Sequence, residues 1–188
     1  MTKFLILHGT DATPSDNWFM WLKGRLVGLG NKVWLPQLPD ADKPNAKNYT
    51  KFLRSNKDFK IDADTILVGH SSGAVEILNL LQALPKTTKI KAAVLVSAFK
   101  DDLGWDTLVD LFPEPFDFEK IKSHCDKFIF IHSDDDPYVP IENAKYLSDN
   151  LNGDFHVIEN QGHFNLETGP EYKQFPELLE IIESIHNS

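Results

Sequence analysis

A serine between glycines, a run of aspartates and a histidine beside a glycine are the residues of this chain whose types and order can do chemistry together. Gly69-His70-Ser71-Ser72-Gly73 follows the apolar run Thr65-Ile66-Leu67-Val68 and precedes Ala74 to Leu81, where apolar residues recur with helical period. A G-x-S-x-G turn between a buried strand and a helix forces its serine into a cramped backbone conformation and exposes the hydroxyl at the sheet's edge. The flanking glycines let strand and helix approach closely enough to make the turn. A serine hydroxyl is a poor nucleophile at neutral pH, so it needs a base within hydrogen-bond reach and a third group to orient that base. Asp134, Asp135 and Asp136 are the acidic candidates, and His163, in Gln161-Gly162-His163-Phe164, is the candidate base. From the residues alone the choice among the three aspartates is open; Asp134 and Asp135 also read as solvated loop carboxylates, and His163 as a loop histidine bonded to backbone. The backbone N–H of Ser72, next to the nucleophile and at a helix start, is a candidate donor to a developing oxyanion.

Those residues need elements to hold them. Six apolar segments read as strands: 3–8, 32–35, 65–69, 92–98, 128–133 and 155–159. Ala93-Val94-Leu95-Val96 and Phe128-Ile129-Phe130-Ile131 are continuous rather than alternating, as expected of parallel strands covered on both faces. Helical period marks 15–29, 46–56, 72–84, 141–151 and 172–186. Alternating strand and helix predicts an α/β doubly wound fold. In such sheets ligands bind beyond the C-terminal strand ends, where Ser71, the aspartates and His163 all fall. The long connection 100–124, with Trp105, Phe112, Phe116 and Phe118, reads equally as a pocket wall or as a cover for a sheet edge.

The composition bounds the class. With 188 residues, 41% hydrophobic and 25% charged, the chain fits one domain, 1–188, able to fold without disulfide or structural metal. A formal charge of −9 and the lack of a basic stripe argue against nucleic-acid and anionic-membrane partners. The lone Cys125 has no metal-ligand spacing around it and reads as a small packed side chain. With no secretory leader in the N-terminal residues, it fits a cytoplasmic setting. His124, His132, His156 and His186 read as packing or solvation. Gly24 to Gly30 lies at a helix end rather than after a strand, so it reads as helix termination, not a dinucleotide loop.

At this point the chain resembles the small YdeN-like serine hydrolases, the family that includes the retinoblastoma-binding protein nine group. The resemblance rests on His8-Gly9-Thr10 with Trp18-Phe19-Met20-Trp21-Leu22, on Gly69 to Gly73, on Ser133 to Pro140, and on Gly162-His163-Phe164. It implies a compact α/β-hydrolase fold: a six-stranded, mostly parallel sheet with helices on both faces and a minimal cap. It also implies Ser71, Asp136 and His163 as a catalytic triad, the acid chosen because Asp136-Pro137-Tyr138-Val139-Pro140 is similar to the hydrolase Asp-x-x-Val-Pro loop. Backbone N–H groups of Thr10 and Ser72 would form the oxyanion hole. Trp18, Phe19 and Trp21, at near-helical spacing, read mostly as core, and Trp18 and the His70 side chain also read as substrate contacts. The expected activity is acyl-enzyme hydrolysis of small carboxylic esters, with no metal and no cofactor. Amide and thioester substrates would use the same groups.

The rival reading is a non-catalytic protein-binding module on the same fold. A retinoblastoma-type Leu-x-Cys-x-Glu pattern has no support, because Ser123 and Lys127 flank Cys125 where leucine and glutamate would be required. The protein partner, if there is one, is left open.

Overall fold

Alternate residues of each central strand enter different apolar clusters, and this divides the molecule into two layers around one sheet. In the computed structural model, which describes residues 1–186, the strands are β1 (Lys3–Leu7), β2 (Lys32–Trp34), β3 (Thr65–His70), β4 (Ala92–Val96), β5 (Phe128–His132) and β6 (Asp154–Val157). Their order is β2-β1-β3-β4-β5-β6 and each pairing is parallel. Phe4 and Ile6, Ile66 and Val68, and Ile129 and Ile131 face a layer with α1 (Phe19–Gly28) and α6 (Pro176–His186). Leu5 and Leu7, Leu67, and Phe128 and Phe130 face α2 (Ala46–Ser55), α3 (Ser72–Ala83), α4 (Phe118–Ser123) and α5 (Ile141–Leu151). Both faces are covered, so the continuous apolar runs are what the sheet requires.

Helix α3 is the central element of its layer. Every residue from Ser72 to Gln82 is buried, which fits a helix that is apolar almost all round. Its one carboxylate, Glu76, accepts from the Thr50 hydroxyl at 2.8 Å, while its second oxygen is buried with no partner among the described residues. Burial raises its pKa well above the ordinary carboxylate value.

Three elements depart from the sequence expectation. The helix expected from Ser15 begins at Phe19, because Asp16 turns its carboxylate back onto the N–H and hydroxyl of Thr13. The one expected over 172–186 is divided into a 3₁₀ turn, Pro170–Lys173, and α6; Pro176 lacks the N–H a helix interior needs and starts the helix instead. Within 100–124 lie a 3₁₀ segment, Asp106–Leu111, and the short α4, whose start is capped by Asp117 accepting Lys120 N–H at 3.0 Å. Leu108, Leu111, Phe112 and Phe116 of this connection form a third apolar cluster with Val75 of α3, Phe99 and Val139. The connection therefore packs over the C-terminal end of the sheet, not along an outer strand. Among the described residues no helix is long and apolar enough to cross a membrane.

Candidate active site

Ser71 sits between β3 and α3 at φ 55° and ψ −124°, a conformation that L-residues seldom adopt. The turn is held by Ser71 N–H donating to Val96 O at 2.9 Å, and by Ala74 and Val75 N–H donating to Ser71 O. Its glycines are steric requirements. A Cβ on Gly69 would lie 2.6 Å from the Ala74 Cα, and one on Gly73 would lie 2.5 Å from the carbonyl oxygens of both Leu7 and His8. The β1–α1 connection also meets the Ser71 turn: the Thr10 hydroxyl donates to Ser72 Oγ at 3.0 Å.

Asp136 and His163 are brought together. His163 Nδ1 lies 2.7 Å from Asp136 Oδ2. A carboxylate oxygen only accepts, so Nδ1 carries the proton and Nε2 is left with the lone pair. Asp136 Oδ2 also accepts from the Ser97 hydroxyl at 2.9 Å, and Oδ1 accepts the N–H groups of Tyr138 and Val139 at 2.9 and 3.0 Å. Burial works against its charge, but His163 and the two amides outweigh it and hold its pKa below the usual carboxylate value. His132 Nε2 comes within 3.8 Å of the same carboxylate. That contact is no ion pair, since burial lowers the His132 pKa and Nε2–H is donated to Val139 O at 2.9 Å.

The preceding residues of this loop also bond to the histidine loop, with Asp134 and Asp135 exposed to solvent. Ser133 Oγ accepts Gln161 N–H at 2.9 Å, Asp134 accepts Asn160 N–H at 2.8 Å and Asp135 accepts Gly162 N–H at 2.7 Å. Four consecutive side chains, 133 to 136, thus hold four consecutive residues of the histidine loop, 160 to 163. The Asp-rich run is a clasp in which only its last member reaches the imidazole.

Ser71, His163 and Thr10 line one cleft of about 190 Å³. Phe99, Leu103, Leu108 and Val139 give it an apolar wall, Trp105 and Tyr138 flank it, and Asp11 and Glu167 supply charge at its lining. The 100–124 connection therefore walls the cleft, through Leu103, Trp105 and Leu108. A roomier groove of about 670 Å³ lies between α2, α3 and Pro113–Glu114, but it contains none of the residues just described.

Two expectations need correction. Trp18 is fully buried and absent from the cleft lining: its ring packs edge-on against Phe19 and Phe175, and its Nε1–H is donated to Phe164 O at 3.0 Å. His70 is likewise buried and outside the lining, bonded through Nε2 to His163 O at 2.8 Å. Both sit behind the loop that carries His163 because large rings in this layer fill the space between α1 and α6. His8, too, is a tether: it donates from Nδ1 to Gly9 O and accepts Leu38 N–H at Nε2. His124 is buried and bonded to Thr88 O, His156 is exposed, and the side chain of His186 lies outside the described residues. Cys125 is buried and its thiol is pushed up to about 12, chiefly by burial, so it is unreactive as a thiolate. Sequence reasoning missed Ser97, which follows β4 with a positive φ of 50° and whose signal was only its place at a strand's C-terminal end. Among the described residues no group of three His, Cys, Asp or Glu side chains could hold a metal ion.

A strained serine at a strand-to-helix turn, on a six-stranded parallel sheet covered on both faces, defines the α/β-hydrolase class. The family model described as "Serine hydrolase" matches residues 4–184, and the chain belongs to that family. It is 27% identical over 189 residues to serine hydrolase RBBP9 of Rattus norvegicus, covering 98% of this chain and 95% of that protein. It is 29% identical over 186 residues to the protein YdeN of Bacillus subtilis (strain 168), covering 98% and 96%. The crystal structure of the ydeN gene product from B. subtilis superposes with a TM-score of 0.93, at 25% identity and with both chains fully covered. Est1E from Butyrivibrio proteoclasticus shares the fold, with a TM-score of 0.69 at 15% identity, covering 100% of this chain and 89% of that one.

Proposed function

We propose that the chain hydrolyses small carboxylic esters through an acyl-enzyme on Ser71. The observation that carries this reading is the 2.7 Å bond from His163 to a buried, multiply bonded Asp136 beside the cleft that also contains Ser71. In the first half-reaction Ser71 Oγ attacks the ester carbonyl while its proton passes to His163 Nε2. The ester C–O bond then breaks and the departing alcohol takes that proton. In the second, His163 deprotonates a water that attacks the acyl-enzyme, and Ser71 recovers its proton as the carboxylic acid leaves. Asp136 stabilises the imidazolium and keeps the proton on Nδ1. The N–H groups of Ser72, at the start of α3, and of Thr10 serve as oxyanion donors, each worth about 2.7–4 kcal/mol of barrier.

The cleft's size supports short acyl chains. About 190 Å³ with walls from Phe99, Leu103, Leu108 and Val139 accommodates a small apolar acyl group rather than a long lipid tail. The test is hydrolysis of 4-nitrophenyl acetate, butyrate and laurate by the native chain and by Ser71→Ala, His163→Ala and Asp136→Asn. The reading expects turnover of the short esters and losses of about 10⁴-fold or more in kcat for each variant. A folded native chain inactive on all three esters, or a Ser71→Ala variant with native rates, would overturn it.

A further inference from the structure

The loop that carries His163 is gripped from behind by two buried rings of the chain's first half. His70 Nε2 is 2.8 Å from the carbonyl oxygen of His163, and Trp18 donates to the next carbonyl, Phe164 O, at 3.0 Å. The gripped segment is contorted: Gly162 and Phe164 flank His163 with φ of 56° and 53°. A non-glycine residue holds such a conformation only where its surroundings over-determine it.

A carbonyl oxygen only accepts, so the His70 proton is on Nε2. That leaves Nδ1 with the lone pair, and this atom is buried with no partner among the described residues. An unsatisfied buried acceptor costs free energy that a phenylalanine or leucine at this position would not incur. Filling space therefore does not account for a histidine here, whereas the Nε2 bond does. The ring is wedged by Trp18 and Phe19, with centroids 6.0 and 5.9 Å away, and its centroid is 4.8 Å from that of the His163 ring. The charged or titratable groups facing it are His163, His8 and Asp136. Burial and the neighbouring His163 push its pKa down to about 3 despite Asp136, so the ring stays a neutral donor at working pH.

We propose that His70 is a positioning residue, which reaches from the nucleophile turn to the main chain of His163 and so fixes where the imidazole stands relative to Ser71. This rests on the reading of Ser71 and His163 as the reacting pair. One residue of G-H-S-S-G supplies the hydroxyl, and its neighbour sets the distance to the base.

The experiment compares His70→Phe, which keeps the bulk and removes the donor, with His70→Gln, whose side-chain amide N–H reaches a similar point. On a short 4-nitrophenyl ester the account expects kcat of His70→Phe to fall about 10–100-fold with KM within about twofold, the cost of a small misplacement. His70→Gln is expected to recover most of that loss, with thermal unfolding showing both variants folded. Native kcat in His70→Phe, or equal losses in the two variants, would overturn the proposal. A second readout needs no turnover. Ring ¹⁵N spectra of the native chain should show His70 as the neutral Nε2–H tautomer without titration from pH 5 to 9, and the His163 ring signals should move in His70→Phe and return in His70→Gln. An Nδ1–H tautomer for His70, or unmoved His163 signals, would overturn the positioning role. A native chain without turnover would fail the hydrolase reading alone, and the spectra would still decide this one.

Discussion

Ser97 Oγ donates to the same oxygen of Asp136, at 2.9 Å, that accepts His163 Nδ1–H at 2.7 Å. Asp136 therefore has a side-chain donor besides His163, reached from the end of β4. A hydrogen bond to a charged group contributes about 1.5–3 kcal/mol, so Ser97→Ala is expected to lower kcat by about 10–100-fold in steady-state ester hydrolysis. An unchanged kcat would show that Ser97 contributes nothing to orienting the acid.

The three aspartates should separate by what each one holds. Asp136→Asn removes the anion that fixes the His163 tautomer and is expected to cost about 10⁴-fold in kcat. Asp134→Asn loosens the Asn160 amide, and Asp135→Asn loosens the Gly162 amide and the Ser133 hydroxyl, neither touching the imidazole; each should cost about 10-fold or less. Measured rates for the three variants check this, and comparable losses at all three positions would contradict the assignment of the acid.

Gly73→Ala tests the elbow's packing. Its Cβ would sit 2.5 Å from two carbonyl oxygens of rigid β1 and the residue after it, and neither can retreat without moving the strand. A destabilisation of about 3 kcal/mol or more is expected in urea unfolding. A loss under about 1 kcal/mol would mean that strand and helix have room the structure does not show.

Much of this arrangement was legible from residue order. Continuous apolar runs gave the strands because both faces of the sheet are covered, and G-H-S-S-G located the turn because only glycines fit at 69 and 73. The clasp at 133–136 was half legible: the aspartates marked the loop, but a sequence carries no sign of which backbone amides a carboxylate will meet after two strands are brought side by side. Trp18 and His70 misled for a related reason. Proximity in sequence to Thr10 and Ser71 placed them near the cleft, while the direction of their rings depends on Phe164 and Phe175 for Trp18 and on the His163 carbonyl for His70, all more than ninety positions away in the chain. Glu76 was invisible too, since nothing in an α3 pattern of mostly apolar residues shows a carboxylate whose second oxygen finds no partner.

Glu76 makes a pH prediction with a definite sign. Its folded pKa is raised above the unfolded value of 4.5, so above pH 4.5 the unfolded state releases a proton that the folded state keeps. Stability is therefore eroded as pH rises from 4.5 toward the folded value. Glu76→Gln removes that penalty and should raise Tm at pH 8 by about 2–4 °C or more, the shift that 1 kcal/mol gives in a chain of this size. The gain should shrink toward pH 4.5. A Tm gain that does not depend on pH, or a loss at pH 8, would show that burial does not raise the Glu76 pKa.

The cleft's charge should select among acyl groups. Asp11 and Glu167 line it and no lysine or arginine does, so an anionic acyl chain meets like charge, about 1 kcal/mol at 4 Å in water and more where water is displaced. A 4-nitrophenyl hemisuccinate is expected to show kcat/KM about 10-fold or more below that of the butyrate, with the gap narrowed in Glu167→Gln and Asp11→Asn. Equal rates on the two esters would contradict this.

The central claim is that Ser71 becomes covalently acylated with His163 as its base. Treating the folded native chain with a fluorophosphonate and mapping the adduct by mass spectrometry tests it most directly. The account predicts a single phosphonyl adduct on Ser71, slowed by orders of magnitude in His163→Ala and absent in Ser71→Ala. An unlabelled native chain, or an adduct formed equally well on another residue in Ser71→Ala, would contradict it.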